Sequence, residues 1–206
     1  MLIDKNYKNM KRLKNGNYYI EGDLKVDEDL EVELDDWLEV QGSIDVKGRI
    51  TSKKTIKAGC GIKAGDGIKA GDGIKAGCGI KAGDGIEAGC GIKAGWGIKA
   101  GCGIKAGDGI EAGWGIEAGD GIEAGDGIEA GLSITSKWIS SKLRIFAGLA
   151  IWKKTEKEDM QINVEEVKDG EICYGILNIV KQVKKITKEE AEKELSEKYE
   201  CEVKID

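Results

Sequence analysis

The side chains with chemical potential in this 206-residue chain are six cysteines, Cys60, Cys78, Cys90, Cys102, Cys173 and Cys201, and a set of regularly spaced aspartates. A cysteine nucleophile needs a base to generate the thiolate, and that base is commonly histidine. The chain has no histidine. Ser-His-Asp triads, Cys-His pairs and histidine-bound metals are therefore ruled out. Cys60, Cys78, Cys90 and Cys102 fill a position that other copies of one repeat give to Asp or Trp. A disulfide framework does not tolerate that exchange, so free thiols and a reducing, cytoplasmic location are expected. Aspartate beside glycine also occurs in calcium-binding nonapeptide repeats. Here the period is six and lysine or glutamate is interleaved, which argues against calcium. The Gly-x-Gly segments lack the strand-to-helix context of a phosphate loop. The expectation is a non-enzymatic protein with no catalytic residue, no metal and no cofactor.

Charge narrows the partners. Lys and Arg number 32 against 38 Asp and Glu, a net charge of −6. Phosphate neutralisation needs a basic surface, so no direct nucleic-acid partner is expected. No apolar run reaches the ~18 residues of a membrane span, so no membrane is expected either. The basic N-terminal stretch has no apolar core of a secretory signal.

The elements that must position these residues follow from the repeat. Thirteen hexads run from Ile56 to Ser133, twelve of the form I-[KE]-A-G-[CDW]-G and a last one ending Leu132-Ser133. A fixed short period is the mark of a solenoid. Six is not a helical period, and two glycines per hexad would each cost a helix about 1 kcal/mol. Ile and Ala two apart with a charge between them read as strand, with the aliphatics inward. Gly-x-Gly then turns a corner. Three sides make a triangular lap of about 18 residues, stacked about 4.8 Å apart by parallel hydrogen bonds. The general crossover rule makes the winding right-handed. Degenerate hexads extend the pattern upstream through Leu24/Val26 to Ile50/Ser52, with a two-residue insertion near Asp36-Trp37. Downstream, Ile134, Ile139, Ile145 and Ile151 continue it after a one-residue deletion. The fold class is thus all-β: a parallel triangular β-solenoid over 20–152, an N-terminal cap segment over 1–19, and a small α+β appendage over 153–206.

With 18 residues per lap, every third hexad shares a face. One face carries Ser43, Cys60, Cys78, Trp96, Trp114 and Leu132 in the variable slot. A second carries Asp66, Asp84, Cys102 and Asp120, and the third Asp72, Cys90, Asp108 and Asp126. The aromatic stripe Trp96/Trp114, beside Cys78 and Leu132, is the foremost candidate for a protein interface. Alternatively, a terminal segment folds back over it, or the two rings only stack on each other. In the charged slot lysine prevails early and glutamate late, giving a lengthwise dipole. In the appendage, Thr187 to Glu190 match a capping box opening a helix with Ala191, Leu195 and Tyr199 on one face. Cys201 to Ile205 read as a short strand.

The I-x-[AV]-x-G-x rhythm over 20–152 resembles bactofilins, polymer-forming cytoskeletal β-helix proteins of bacteria. It also resembles repetitive IKAG-type proteins of Firmicutes and their phages, of unknown function. The first resemblance implies a right-handed solenoid and self-association. The second implies a bacterial or phage intracellular protein. The leading expectation is a structural scaffold acting by protein–protein interaction or as a homo-oligomer. The rival is a phage-type or mobile-element inhibitor that binds a host enzyme or nucleic-acid-processing complex through acidic faces containing Asp66, Asp84 and Asp120. A third reading places an enzyme in residues 160–206.

Overall fold

The computed structural model describes residues 1–180. Every isoleucine that opens a hexad, Ile56 to Ile128, is buried, and so is the alanine two residues on. The lysine or glutamate between them stays at the surface. Each hexad therefore contributes a three-residue strand, such as Ile62–Ala64 or Ile80–Ala82, and a glycine-bounded corner. One lap offers too little apolar surface to offset the ordering of its backbone, so the stacking of laps carries stability.

Three walls enclose the core. The first wall stacks nine strands and sets Leu24, Ile44, Ile62, Ile80, Ile98, Ile116, Ile134, Ile162 and Leu177 in one row. The second wall runs from Leu30 and Ile50 through Ile68, Ile86, Ile104 and Ile122 to Ile139. The third runs from Tyr18 and Leu38 through Ile56, Ile74, Ile92, Ile110 and Ile128 to Ile145. All pairings between laps are parallel and in register through the hexads, Ile over Ile and Ala over Ala.

Lap length departs from 18 only where the sequence departs from the hexad. Leu24 pairs with Ile44, 20 residues on, because Leu34 and its neighbours are inserted. Ile44 pairs with Ile62, 18 on. Ile122 pairs with Ile139, 17 on. The next lap is longer than the hexad pattern suggests, since Ile134 pairs with Ile162, 28 residues on. The extra residues form an excursion after Ala147 that ends in a short 3-10 turn, Glu158–Met160. Ile151, expected to continue the inward row, is 100% exposed on this excursion. Ile162 takes its place in the core.

The solenoid also reaches beyond the expected boundary at 152. Strands Gln161–Val164, Glu166–Tyr174 and Ile176–Ile179 join the walls with parallel pairing. This part of the expected appendage is therefore a further stretch of solenoid, built from the strand-like runs near 160–164 and 171–180. The expected helix at Thr187 and the strand at Cys201 lie outside the described residues. Long strands Trp138–Ala147 and Glu166–Tyr174 run round one corner and join the second and third walls into one sheet.

The N-terminal segment closes the first lap. Leu2–Ile3 lies parallel beneath Leu30–Val32, and Lys11–Arg12 pairs antiparallel with Tyr18–Tyr19. Met1, Tyr7 and Met10 pack against the core from below. The Tyr18 hydroxyl donates to Asp35 at 2.5 Å and holds that carboxyl below the usual carboxylate range. An antiparallel hairpin at this end blocks strand addition, which an open parallel edge invites.

Candidate interaction surface

The corners explain why the variable residues form columns. A methyl group on Gly77 would stand 2.0 Å from the Gly59 carbonyl oxygen of the lap below. Backbone meets backbone there, and only glycine permits it. The following residue is thereby thrown outward onto a ridge. Along one ridge the amide of Cys78 donates to Cys60 O (3.0 Å), Trp96 to Cys78 O (3.1 Å), Trp114 to Trp96 O (3.2 Å) and Leu132 to Trp114 O (3.2 Å). The structure thus brings together Cys78, Trp96, Trp114 and Leu132. It corrects the first member of the column. Gly42, whose carbonyl accepts from Cys60, lies beneath it, while Ser43 stands in the row of second glycines beside the ridge.

The two tryptophans stack, with ring centroids 5.4 Å apart and planes within 9°. Trp152 returns from the excursion to lie against Trp114, at 5.8 Å and 38°, and its Nε1 donates to Gly113 O at 3.4 Å. The sequence pattern misses this third ring because it belongs to no hexad. Folding-back and ring stacking both occur, yet neither hides the ridge. Trp96 is 52% exposed, Trp114 44% and Trp152 54%. Stacking of this kind stabilises by about 0.5–1.5 kcal/mol per pair.

The other ridges carry the aspartates. Asp84 stands over Asp66, Cys102 over Asp84 and Asp120 over Cys102. Asp120 is held by Lys137 at 2.6 Å, and its carboxylate keeps that lysine above the usual value. Asp66 and Asp84 make no ion pair with another described residue. On the third ridge Asp72 lies 3.6 Å from Lys54.

Charge on the walls flanking the tryptophan ridge is mostly paired lap to lap. On one side Lys57 meets Glu39 (3.1 Å) and Lys93 meets Glu111 (2.6 Å). On the other Lys63 meets Asp45 (3.8 Å) and Lys99 meets Glu117 (2.6 Å). These exposed pairs are each worth about 0–1 kcal/mol. Their main effect is to fold the expected lengthwise dipole into local couples. Lys25 and Lys81 on one flank, and Lys75 and Glu129 on the other, make no ion pair with another described residue.

Beside each ridge runs a trough floored by the second glycine of successive hexads. The trough next to the tryptophan ridge has Gly61, Gly79, Gly97 and Gly115 as its floor, Ser43 and Ser133 at its ends, and a volume of about 600 Å³. The other two hold tryptophans of the chain itself. Trp138 lies on Gly121, where a methyl group would meet its ring at 2.0 Å, and Lys168 covers that ring at 3.7 Å. Trp37 lines the end of the remaining trough, with Lys75 over its ring at 4.7 Å. The trough beside Trp96 and Trp114 has no aromatic lining.

Cys60, Cys78, Cys90, Cys102 and Cys173 are free thiols, and Cys201 lies outside the described residues. Among the described residues, no group of three or more Cys, Asp or Glu is placed to hold a metal ion. Among the same residues no helix is long and apolar enough to cross a membrane. In comparisons with known proteins, no family model, no curated protein and no solved structure matches the chain.

Proposed function

We propose that this protein is a non-enzymatic scaffold that works by protein–protein interaction or self-association through its tryptophan ridge. The observation that carries the reading is the stack of Trp96, Trp114 and Trp152, each about half exposed, on one edge of an otherwise charged prism. Half-exposed indoles with a fully exposed Ile151 nearby in sequence leave apolar area in water that a partner would bury. Tryptophans are also the residues that most often anchor interfaces. The bactofilin-like rhythm supports a structural role in a bacterial or phage cytoplasm. The acidic-inhibitor reading has less behind it, because Lys137 occupies Asp120 and lysine alternates with glutamate along the second wall, Lys69, Glu87, Lys105 and Glu123.

The double substitution Trp96→Ala with Trp114→Ala tests the reading. Both rings lie outside the core, so the expected loss of stability is no more than about 1–2 kcal/mol. Far-UV circular dichroism stays unchanged while association measured by light scattering, and capture of a partner from bacterial lysate, are lost. Unchanged mass and unchanged capture would refute it.

A further inference from the structure

We propose that the far end of the solenoid is closed by the chain's own residues 181–206, which lie across the last lap and cover its core. The proposal is independent of the tryptophan ridge, since it concerns the end of the prism and not its edge.

The two ends of the described solenoid differ. At the first lap Ile3 is buried, and Met1, Tyr7 and Met10 pack against the core from below. The last lap has no such cover among the described residues. Leu177 stacks on Ile162 and Ile179 on Val164, so both continue the inward rows of the first wall. Ile162 and Val164 are 0% exposed, whereas Leu177 and Ile179 are each 43% exposed. Tyr174, Ile176 and Val180 nearby are exposed to a similar degree. The backbone is open on the same side. In lower laps of this wall the amide that opens the strand donates to the lap above, Ile98 to Gly115 O and Ile116 to Ser133 O. Leu177 holds the same position, and no described strand stands above it. An end of this kind exposes apolar side chains and raw strand groups together, which invites a cover.

Three observations assign that cover to the same chain. First, the chain leaves at the right place. The Val180 amide donates to Val164 O at 2.8 Å, so residue 181 starts at the rim of the open lap. Second, the lengths fit. Residues 181–186 span up to about 20 Å when extended, enough to reach across an end whose walls are six residues each. A helix opened by Thr187 and carried through Tyr199 is about 18 Å long, close to the ~20 Å of one such wall. Third, the chemistry fits. Ala191, Leu195 and Tyr199 stand four apart, and Val203 and Ile205 two apart, with polar residues between them. An apolar stripe with a polar back is what a lid over an apolar end requires. A second copy meeting end to end would bury the same side chains. A tethered segment acts at an effective concentration in the millimolar range, so it takes the end first. With both ends closed, association is left to the sides of the prism.

Amide hydrogen exchange of the full chain, read by mass spectrometry, tests this. End laps fray unless something packs on them, so exchange over 172–180 reports the cover. In the wild type these amides are expected to exchange slowly and at a rate independent of protein concentration. Leu195→Asp with Tyr199→Asp puts charge on the apolar stripe and leaves residues 1–180 unaltered. It is expected to speed exchange over 172–180 at least about tenfold and to leave 56–133 unchanged. Leu195→Met with Tyr199→Phe is expected to keep the protection, as is Lys193→Asp on the polar back. Wild-type exchange over 172–180 as fast as in the double aspartate variant overturns the proposal. So does equal speeding by Lys193→Asp, which would mean that the stripe makes no special contact. Protection that grows with protein concentration gives the end to a second copy and overturns it too.

Discussion

The two glycines of a hexad are not equivalent. A methyl group on Gly77 would stand 2.0 Å from Gly59 O, inside any real contact distance, whereas one on Gly79 would stand 3.2 Å from Gly97 O. The first position has no room and the second needs a shift of a few tenths of an ångström. Gly77→Ala is therefore expected to cost more than about 3 kcal/mol in urea denaturation, and Gly79→Ala less than about 1 kcal/mol. Equal losses would mean that laps do not meet at the corner as described. The distinction is only half legible in the sequence. The second position visibly accepts Ser133 in the last hexad, but the degenerate hexads must be phased correctly before Ser43, Arg49 and Thr55 are seen to occupy the same position, one in each of the three rows. A one-residue shift in phase exchanges Ser43 with Gly42, the residue that stands on the ridge. Inward and outward assignment of Ile, Ala and the charged slot, by contrast, needed only the alternation of a strand.

At the scale of the element, the hexad is a unit of angle as well as a unit of core. Three hexads return the chain to the same ridge, so removing one rotates everything downstream by one wall. Excision of Ile98–Gly103 is expected to leave a folded solenoid, because the rows of Ile and Ala close up without interruption. Trp96 and Trp114 would then lie on different ridges. The near-UV circular dichroism of their stacked indoles should collapse, while excision of the lap Ile56–Gly73 leaves it intact. A persistent couplet in the first variant would contradict three walls per lap. Regular elements were readable because each repeats the same local rule. The excursion carrying Ile151 and Trp152 was not, since one irregular segment has no period to betray it. Ile151 keeps hexad spacing from Ile145 by coincidence, and only the pairing of Ile134 with Ile162 reveals that the chain had left the wall.

The whole molecule is a prism whose core is uniform and whose edges are not. Repetition makes the interior nearly interchangeable from lap to lap, so individuality is confined to the three ridges, the troughs beside them and the two ends. Stability of such an object is shared between neighbouring laps, which lets ridge residues vary at little cost. Asp, Cys and Trp can therefore exchange in one slot without disturbing the fold. The wall architecture was legible because burial dictates it. The third tryptophan, the lap-to-lap ion pairs and the indole of Trp138 on Gly121 were not, since each depends on side chains meeting across laps. The account comes down to whether the tryptophan ridge is the surface that association covers. Acrylamide quenching of tryptophan fluorescence, followed across a dilution series of the wild type and of the Trp96→Ala, Trp114→Ala variant, tests that directly. Quenching of the wild type should fall as concentration rises and the variant should show no such change. Wild-type mass that grows with concentration while quenching stays constant would place the contact elsewhere and contradict it.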